Sequence, residues 1–348
     1  MSPRRSAGQA RACLIWGMIA FWTGHLVISG VMERRHPEIH DPEHFRRLAL
    51  LQARRAEQPE AALLLLVGSS RTMLAFQPEA LPPLRTAEGR AILSFNYSHT
   101  GAGPLLELVA VRRLLDAGIR PDWLVIEVMP AYLAIKPNRS FMLGALGTAD
   151  WPVMKRYLSA GDRYGKYVWE RWLTELRYHR ALAERWLRKW VQTREEQFPS
   201  CYGPLGGYGH LRVEMSPEQT GAAWAMSRRQ YEAVLGEYHI DPEAGRALQE
   251  LLDLSRQEHI RVVLLVTPEA SPFRAWYSAE AEAVFGPYLA RLSPGNPPPL
   301  IDARQWLSDD AFYDGHHVLL HGAQAFTLRL GEELTRILTD KPVPVACQ

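Results

Sequence analysis

The chain has 348 residues, 47% hydrophobic and 22% charged, an ordinary globular composition that can bury a sizeable core without staples. Basic and acidic residues nearly cancel to a formal net charge of +2, which excludes the global basic field of a nucleic-acid binder, so no nucleic acid is expected as a partner. The three cysteines, Cys13, Cys201 and Cys347, form no CxxC or Cys/His group at metal-ligand spacing, which argues against a structural zinc site.

Residues 13–32 read CLIWGMIAFWTGHLVISGVM, with no formally charged side chain, and are about long enough to cross a hydrocarbon core as a helix. Arg4, Arg5 and Arg11 precede the run and Glu33, Arg34 and Arg35 follow it. The positive-inside bias then makes residues 1–12 a cytoplasmic tail and puts the remainder on the extracytoplasmic side as a single-pass protein. The run is long for the apolar part of a signal peptide and has no well-placed small-x-small site before Glu33, so a retained membrane anchor is expected. It is apolar all round, with Trp16 and Trp22 inside it, unlike the one-sided pattern of a core helix.

A polar helical stretch runs to about residue 57. ALLLLVGSSRT then reads as a buried strand that ends at Gly68 and turns into a polar loop. AILSFN is a second strand, ending at Asn96. NYSHTGAGP supplies a glycine-rich turn, and Pro104 opens a helix in which Leu105, Leu108, Val109 and Leu115 share a face. Gly118 closes that helix, and DWLVIEVMP is the third strand. Strand, turn, helix, strand is the signature of a parallel sheet. From about 136 to 235 the rhythm breaks into an insertion that includes GKYVWERWLTELRYHRALAERWLRKW, basic and rich in tryptophan. Three readings stand: a helical cap, a membrane-surface helix, or a sugar-stacking wall using Trp169, Trp172, Trp186 and Trp190. Ser216 and Asp241 look like helix starts, the first with capping-box spacing to Gln219. The α/β rhythm then returns with ALQELLDLSRQ as a helix, RVVLLVTPE and PPLIDA as strands, and GAQAFTLRLGEELTRIL as a closing helix. Cys201 and Cys347 either pair or remain free thiols.

In an open α/β sheet ligands collect beyond the carboxyl ends of the strands. Those ends deliver Ser69, Ser70 and Arg71, then Asn96, then Glu127, then Thr267 and Glu269. Before the last helix comes DDAFYDGHHVLLHG. A serine becomes a nucleophile only beside a base, and the base needs an acceptor to orient it. Asp314 and His317, three apart, can put carboxylate and imidazole on one side of a turn. His316 is a surface residue, or the base if the turn is rotated; Arg71 and Glu127 bind substrate or form a structural ion pair. No metal or other cofactor is expected.

At these residues the sequence resembles the SGNH, or GDSL-like, hydrolase superfamily, particularly its membrane-anchored branch of teichoic acid D-alanyl transfer and polysaccharide O-acetylation proteins. GSSRT resembles the nucleophile block, with Ser69 in place of the usual aspartate and Ser70 in the nucleophile position. DGHHVLLHG resembles the last block, with Asp314, His317 and Gly322. FNYSHTGAGP resembles the second block, whose glycine, Gly101 here, shares an oxyanion hole with the Ser70 amide. The resemblance covers about residues 60–135 and 260–335. One block departs: the family's asparagine after the third strand is absent from VIEVMP, so either Asn96 substitutes as an oxyanion donor or the membrane-anchored branch relies on backbone amides and another donor.

The resemblance implies a three-layer, flavodoxin-like α/β domain over residues 33–348, with a helical insertion and a transmembrane anchor. It also implies a serine acyl-transfer or esterase reaction by double displacement, with an acyl donor and a cell-envelope glycan acceptor, beside a membrane-bound O-acyltransferase. The competing reading is a non-catalytic scaffold or binding protein on the same fold that partners such an acyltransferase. The missing block asparagine favours that competitor.

Overall fold

The computed structural model describes residues 3–35, 37–39, 41–135, 146–157, 183, 187, 205–213, 215–293 and 297–339. The chain divides into two units, Met1–Phe45 with Arg139–Gln197, and Arg46–Asn138 with Phe198–Gln348. The four tryptophans Trp169, Trp172, Trp186 and Trp190, together with Cys201 and Cys347, lie outside the described residues.

The first unit contains helix α1 (Pro3–Arg35). Within it Gly8–Val31, 24 residues of mean hydropathy 1.6, is long and apolar enough to span a membrane. Such a helix extends about 36 Å against a hydrocarbon core of about 30 Å. Leu14, Trp16, Met18 and Phe21 are all exposed on it, the reverse of what a core helix of a water-soluble domain presents. The unit also holds a one-turn helix, Trp151–Met154.

Helix α2 (Pro42–Glu57) begins in the first unit and ends in the second. The second unit is built on strands β1 (Ala62–Val67), β2 (Ile92–Asn96), β3 (Trp123–Glu127), β4 (Arg261–Val266) and β5 (Leu300–Asp302). All neighbours pair in parallel, in the order β2-β1-β3-β4-β5. The helices in chain order are α3 (Ser70–Ala75), α4 (Pro104–Asp116), α5 (Pro130–Ala134), α6 (Pro217–Gly236), α7 (Pro242–Gln257), α8 (Ser271–Arg274), α9 (Ala279–Arg291) and α10 (Leu320–Thr339). Parallel strands need crossovers and are covered on both faces, which is why β1 reads ALLLLV without alternation and is buried throughout.

Leu64, Leu66, Val125, Val263, Leu265 and Ile301 form one core with Phe326, Leu330 and Leu334 of α10. The alternate positions Leu63, Leu65, Leu124, Ile126 and Leu264 are equally buried and point to the opposite face by the two-residue period of a strand. On that side α7 packs against α4 and β4. The result is the three-layer α/β architecture expected from the sequence.

Local expectations are met where local chemistry decides them. Gly118, at φ 75°, lets the Ile119 N–H reach the Leu114 carbonyl at 2.9 Å and closes α4. Ser216 and Gln219 form the reciprocal capping box of α6. The buried stripe of α4 differs from expectation: Leu114 is buried and Leu115 only partly so, because Leu114 continues the three- and four-residue steps of Pro104, Glu107, Leu108 and Val111. The Pro217–Gly236 part of the expected insertion falls in the sheet unit.

One polar side chain on α10 ties that helix to the end of α3. Thr327, fully buried, donates to the Ala75 carbonyl at 3.0 Å and accepts from the Gln77 N–H at 3.0 Å. Thr327→Val keeps the shape and orphans both backbone groups, so it is expected to lower unfolding stability by about 1–3 kcal/mol in denaturant titrations.

Candidate active site

Switching strand order from β2-β1 to β1-β3 opens a crevice at the carboxyl ends of β1 and β3, the usual ligand position in such sheets. β1 delivers Gly68 there. A Cβ at this position would collide with Thr72 Oγ1 and with Glu127 Oε2, so the GSSRT turn opens with glycine because the end of β3 sits against it. Ser69 caps α3, its Oγ accepting the Arg71 N–H at 3.1 Å. Ser70 is the first residue of α3, where a backbone N–H has no intrahelical carbonyl to meet.

The residue that holds this turn is Glu127. Fully buried at the end of β3, its Oε2 accepts from the Ser69 N–H at 2.6 Å and from Thr72 Oγ1 at 3.0 Å. Its Oε1 lies 3.4 Å from Thr267 Oγ1 and 3.8 Å from Arg71 Nε. Arg71 Nη2 donates to the Thr267 and Pro268 carbonyls and, at 3.0 Å, to Glu269 Oε1. Burial opposes the Arg71 charge, and Glu269 and Glu127 outweigh it, so its pKa lies above the ordinary arginine value. Arg71 and Glu127 thus form a buried ion pair, both side chains 1% exposed. With Glu269 it forms a buried cluster joining α3 to β3 and β4.

On the other side of the crevice, the turn before α10 carries Asp314, His316 and His317. Ser70 Oγ and His317 Nε2 are 2.7 Å apart across 247 positions of sequence. His317 Nδ1 lies 2.7 Å from Asp314 Oδ2, while Asp314 Oδ1 accepts the backbone N–H of His317 at 2.8 Å and of His316 at 3.2 Å. Burial alone would raise the Asp314 carboxyl, but His317 and then His316, with these hydrogen bonds, hold it well below the usual carboxylate range. An imidazole donating Nδ1–H to such a carboxylate presents Nε2 as the acceptor for the serine proton.

His317, not His316, is the histidine within hydrogen-bond distance of Ser70. His316 Nδ1 is 2.9 Å from Ser227 Oγ of α6, and burial followed by the neighbouring His317 charge holds the His316 pKa well below the ordinary histidine value. Asp314, His316 and His317 offer ligand atoms within 4.8 Å of one another. Both ring nitrogens of His317 and Nδ1 of His316 lie within hydrogen-bond distance of side-chain partners.

Asn96 departs from its expected role. Its amide donates to the Thr72 and Phe76 carbonyls at 2.9 and 2.8 Å, capping the C-terminal end of α3 instead of facing an oxyanion. The physical reason is that β2 lies beside β1, so its end meets the last turn of α3 and not the first. Gly101 lies in the turn after β2 at φ 65°, a conformation that glycine adopts without strain. Sequence reasoning also missed Ser227, Tyr231 and Trp224 of α6. Their 3–4 residue spacing is a helical stripe, but nothing local says what it faces. Glu127 did carry a signal, as a lone acid ending an otherwise apolar strand.

No protein-family pattern matches this chain, and no curated protein sequence does. Among solved structures it is similar to a proposed acylhydrolase from Bacteroides fragilis at 12% identity, covering 82% of this chain and 94% of that one with a TM-score of 0.37. It is also similar to LAE5, an alpha/beta hydrolase enzyme from the metagenome of Lake Arreo, Spain, at 13% identity, covering 81% and 98% with a TM-score of 0.36. The fold assignment rests on the strand order itself and not on these likenesses.

Another buried carboxyl gives the region a pH signature. Glu107 of α4 is 2% exposed, and its Oε2 has no hydrogen-bond partner among the described residues. Burial, then the Glu127 charge, raises its pKa well above the carboxylate value. The folded state thus binds this proton more tightly than the unfolded chain. Its contribution is complete below about pH 4 and is lost as pH rises through the raised value. Glu107→Gln is expected to melt above the wild type at pH 7, with the gap closing below about pH 4, measured by thermal unfolding across that range.

Proposed function

We propose that the chain is a membrane-anchored serine esterase or acyl-transfer enzyme of the SGNH type, acting on a cell-envelope glycan. The observation that carries this reading is the Ser70–His317–Asp314 relay, with distances of 2.7 Å at both links. His317 Nε2 takes the Ser70 proton while Ser70 Oγ bonds to the acyl carbonyl carbon. As the tetrahedral intermediate collapses, the bond from that carbon to the leaving oxygen breaks, and His317 returns the proton to the leaving alkoxide. Water or a sugar hydroxyl then gives its proton to His317 and attacks the acyl-serine, and Ser70 recovers the proton on release. The amides of Ser70 and Gly101 are assigned to the oxyanion, following the block resemblance. α1 would hold the reaction at a membrane, with the sheet unit on the extracytoplasmic side.

The scaffold alternative is favoured by a specific observation: the Asn96 amide is committed to α3 and the third-strand block has no asparagine. One oxyanion donor is typically worth about 10²–10³ in rate, so an enzyme relying on backbone amides is expected to turn over slowly. Labelling separates the two readings. A fluorophosphonate probe is expected to modify the full-length protein in membranes, and Ser70→Ala or His317→Ala is expected to slow labelling by at least about a thousandfold. A wild-type chain that does not label, or cells whose glycan acylation is unchanged by both substitutions, would leave the scaffold reading.

Topology has its own test. Fused at the C-terminus, a reporter that works only outside the cytoplasm is expected to be active, and one that works only inside is expected to be silent. The reverse pattern would overturn the assigned side.

A further inference from the structure

His317 has two ring neighbours. Tyr313 lies nearly parallel to it, with centroids 5.5 Å apart and planes at 8°, and His316 lies closer, at 4.1 Å and 40°. A base that must reach a serine with one nitrogen and a carboxylate with the other has little rotational freedom to spare, because hydrogen bonds weaken steeply as they bend. The walls beside the ring therefore bear on how often it is aligned.

The His316 wall is itself held from outside the turn. Its Nδ1 is 2.9 Å from Ser227 Oγ but 3.4 Å from Asp314 Oδ1, so the serine is the nearer partner. Ser227 is 2% exposed and sits in α6, far from both nucleophile and base in sequence. Trp224 and Tyr231, three residues before it and four after, lie on the same face. Tyr231 packs edge-on against His316 at 5.0 Å, and a Cβ on Gly315 would come within 2.6 Å of Trp224 Cη2. One face of α6 thus closes over the turn that carries the base, and among the described residues its short polar link to that turn is the serine hydroxyl.

We propose that Ser227 and His316 are positioning residues for His317: the Ser227 hydroxyl fixes the His316 ring, and that ring fixes the imidazole that serves Ser70. Neither touches the reacting atoms. The inference rests on reading Ser70 as the nucleophile, and it adds α6 to the working parts of the site. Burial of His316 supports it, since a neutral ring can lie against His317 while His317 carries the proton.

The test uses the full-length protein in its membranes and a fluorophosphonate probe, separating the maximal labelling rate from the half-saturating probe concentration. Ser227→Thr keeps the hydroxyl, and Ser227→Val has the same shape without it. The valine variant is expected to label about tenfold more slowly than the threonine variant at saturation, with the half-saturating concentration unchanged and both variants folded at the labelling temperature, although the orphaned His316 nitrogen lowers the melting temperature of the valine variant. On a His316→Phe background the two are expected to label at the same rate, because the hydroxyl acts only through His316. If the added methyl costs both variants their fold, Ser227→Ala against wild type makes the same comparison. Equal rates for threonine and valine, or a valine deficit that persists with His316→Phe, would overturn the proposal. Labelling that depends on Ser70 but not on Ser227 overturns this inference alone, whereas a wild-type chain that never labels overturns it together with the serine-nucleophile reading.

Discussion

The contact on which the rest of the site depends is that between the Glu127 carboxylate and the Ser69 N–H, 2.6 Å long and fully buried. A charge taken out of water costs several kcal/mol unless it is paired and hydrogen-bonded. Glu127 meets that cost with Ser69 and Thr72 on one oxygen and with Thr267 and Arg71 near the other. Those same partners set where α3 begins, and hence where Ser70 stands. The ion cluster is better understood as a fixture than as a source of stability, since apolar packing of equal volume would stabilise as much.

Around that fixture the structure holds the two sides of the Ser70–His317 contact by unlike means. α3 is pinned below by Glu127 and Arg71, and at its end by Asn96 and Thr327. The His317 turn is held by its own aspartate, which accepts two backbone N–H groups and the imidazole, and by the face of α6. Ser70, Asp314 and His316 are all more than nine-tenths buried. A short hydrogen bond between side chains 247 positions apart survives only where both are over-determined in this way. The segment before α6 adds to the arrangement: Leu211 and Val213 share a small apolar cluster with Met73 and Leu74 of α3 and Tyr313 beside the base turn.

The sequence by itself determined the parts that depend on neighbours along the chain. Uninterrupted apolar runs marked strands such as β1 and β3, because strands covered on both faces lose the alternation of half-exposed ones. Gly118 and the Ser216–Gln219 box marked helix ends through local hydrogen bonds, and the uncharged run at residues 13–32 marked a membrane-length helix, which spans Gly8–Val31 in the structure. The spacing of Asp314 and His317 was legible for the same reason, since three residues on one turn suffice to bring them together. Only the tertiary structure decided what meets across the sheet and across the crevice. Arg71 and Glu127 could be read from sequence as substrate contacts, and the packing of β3 beside β1 makes them a buried ion pair. Asn96 could be read as an oxyanion donor, and the position of β2 turns its amide to the far end of α3. Ser227 gave no sign at all, because a serine on a helix acquires a role only from the surface that the fold lays against it.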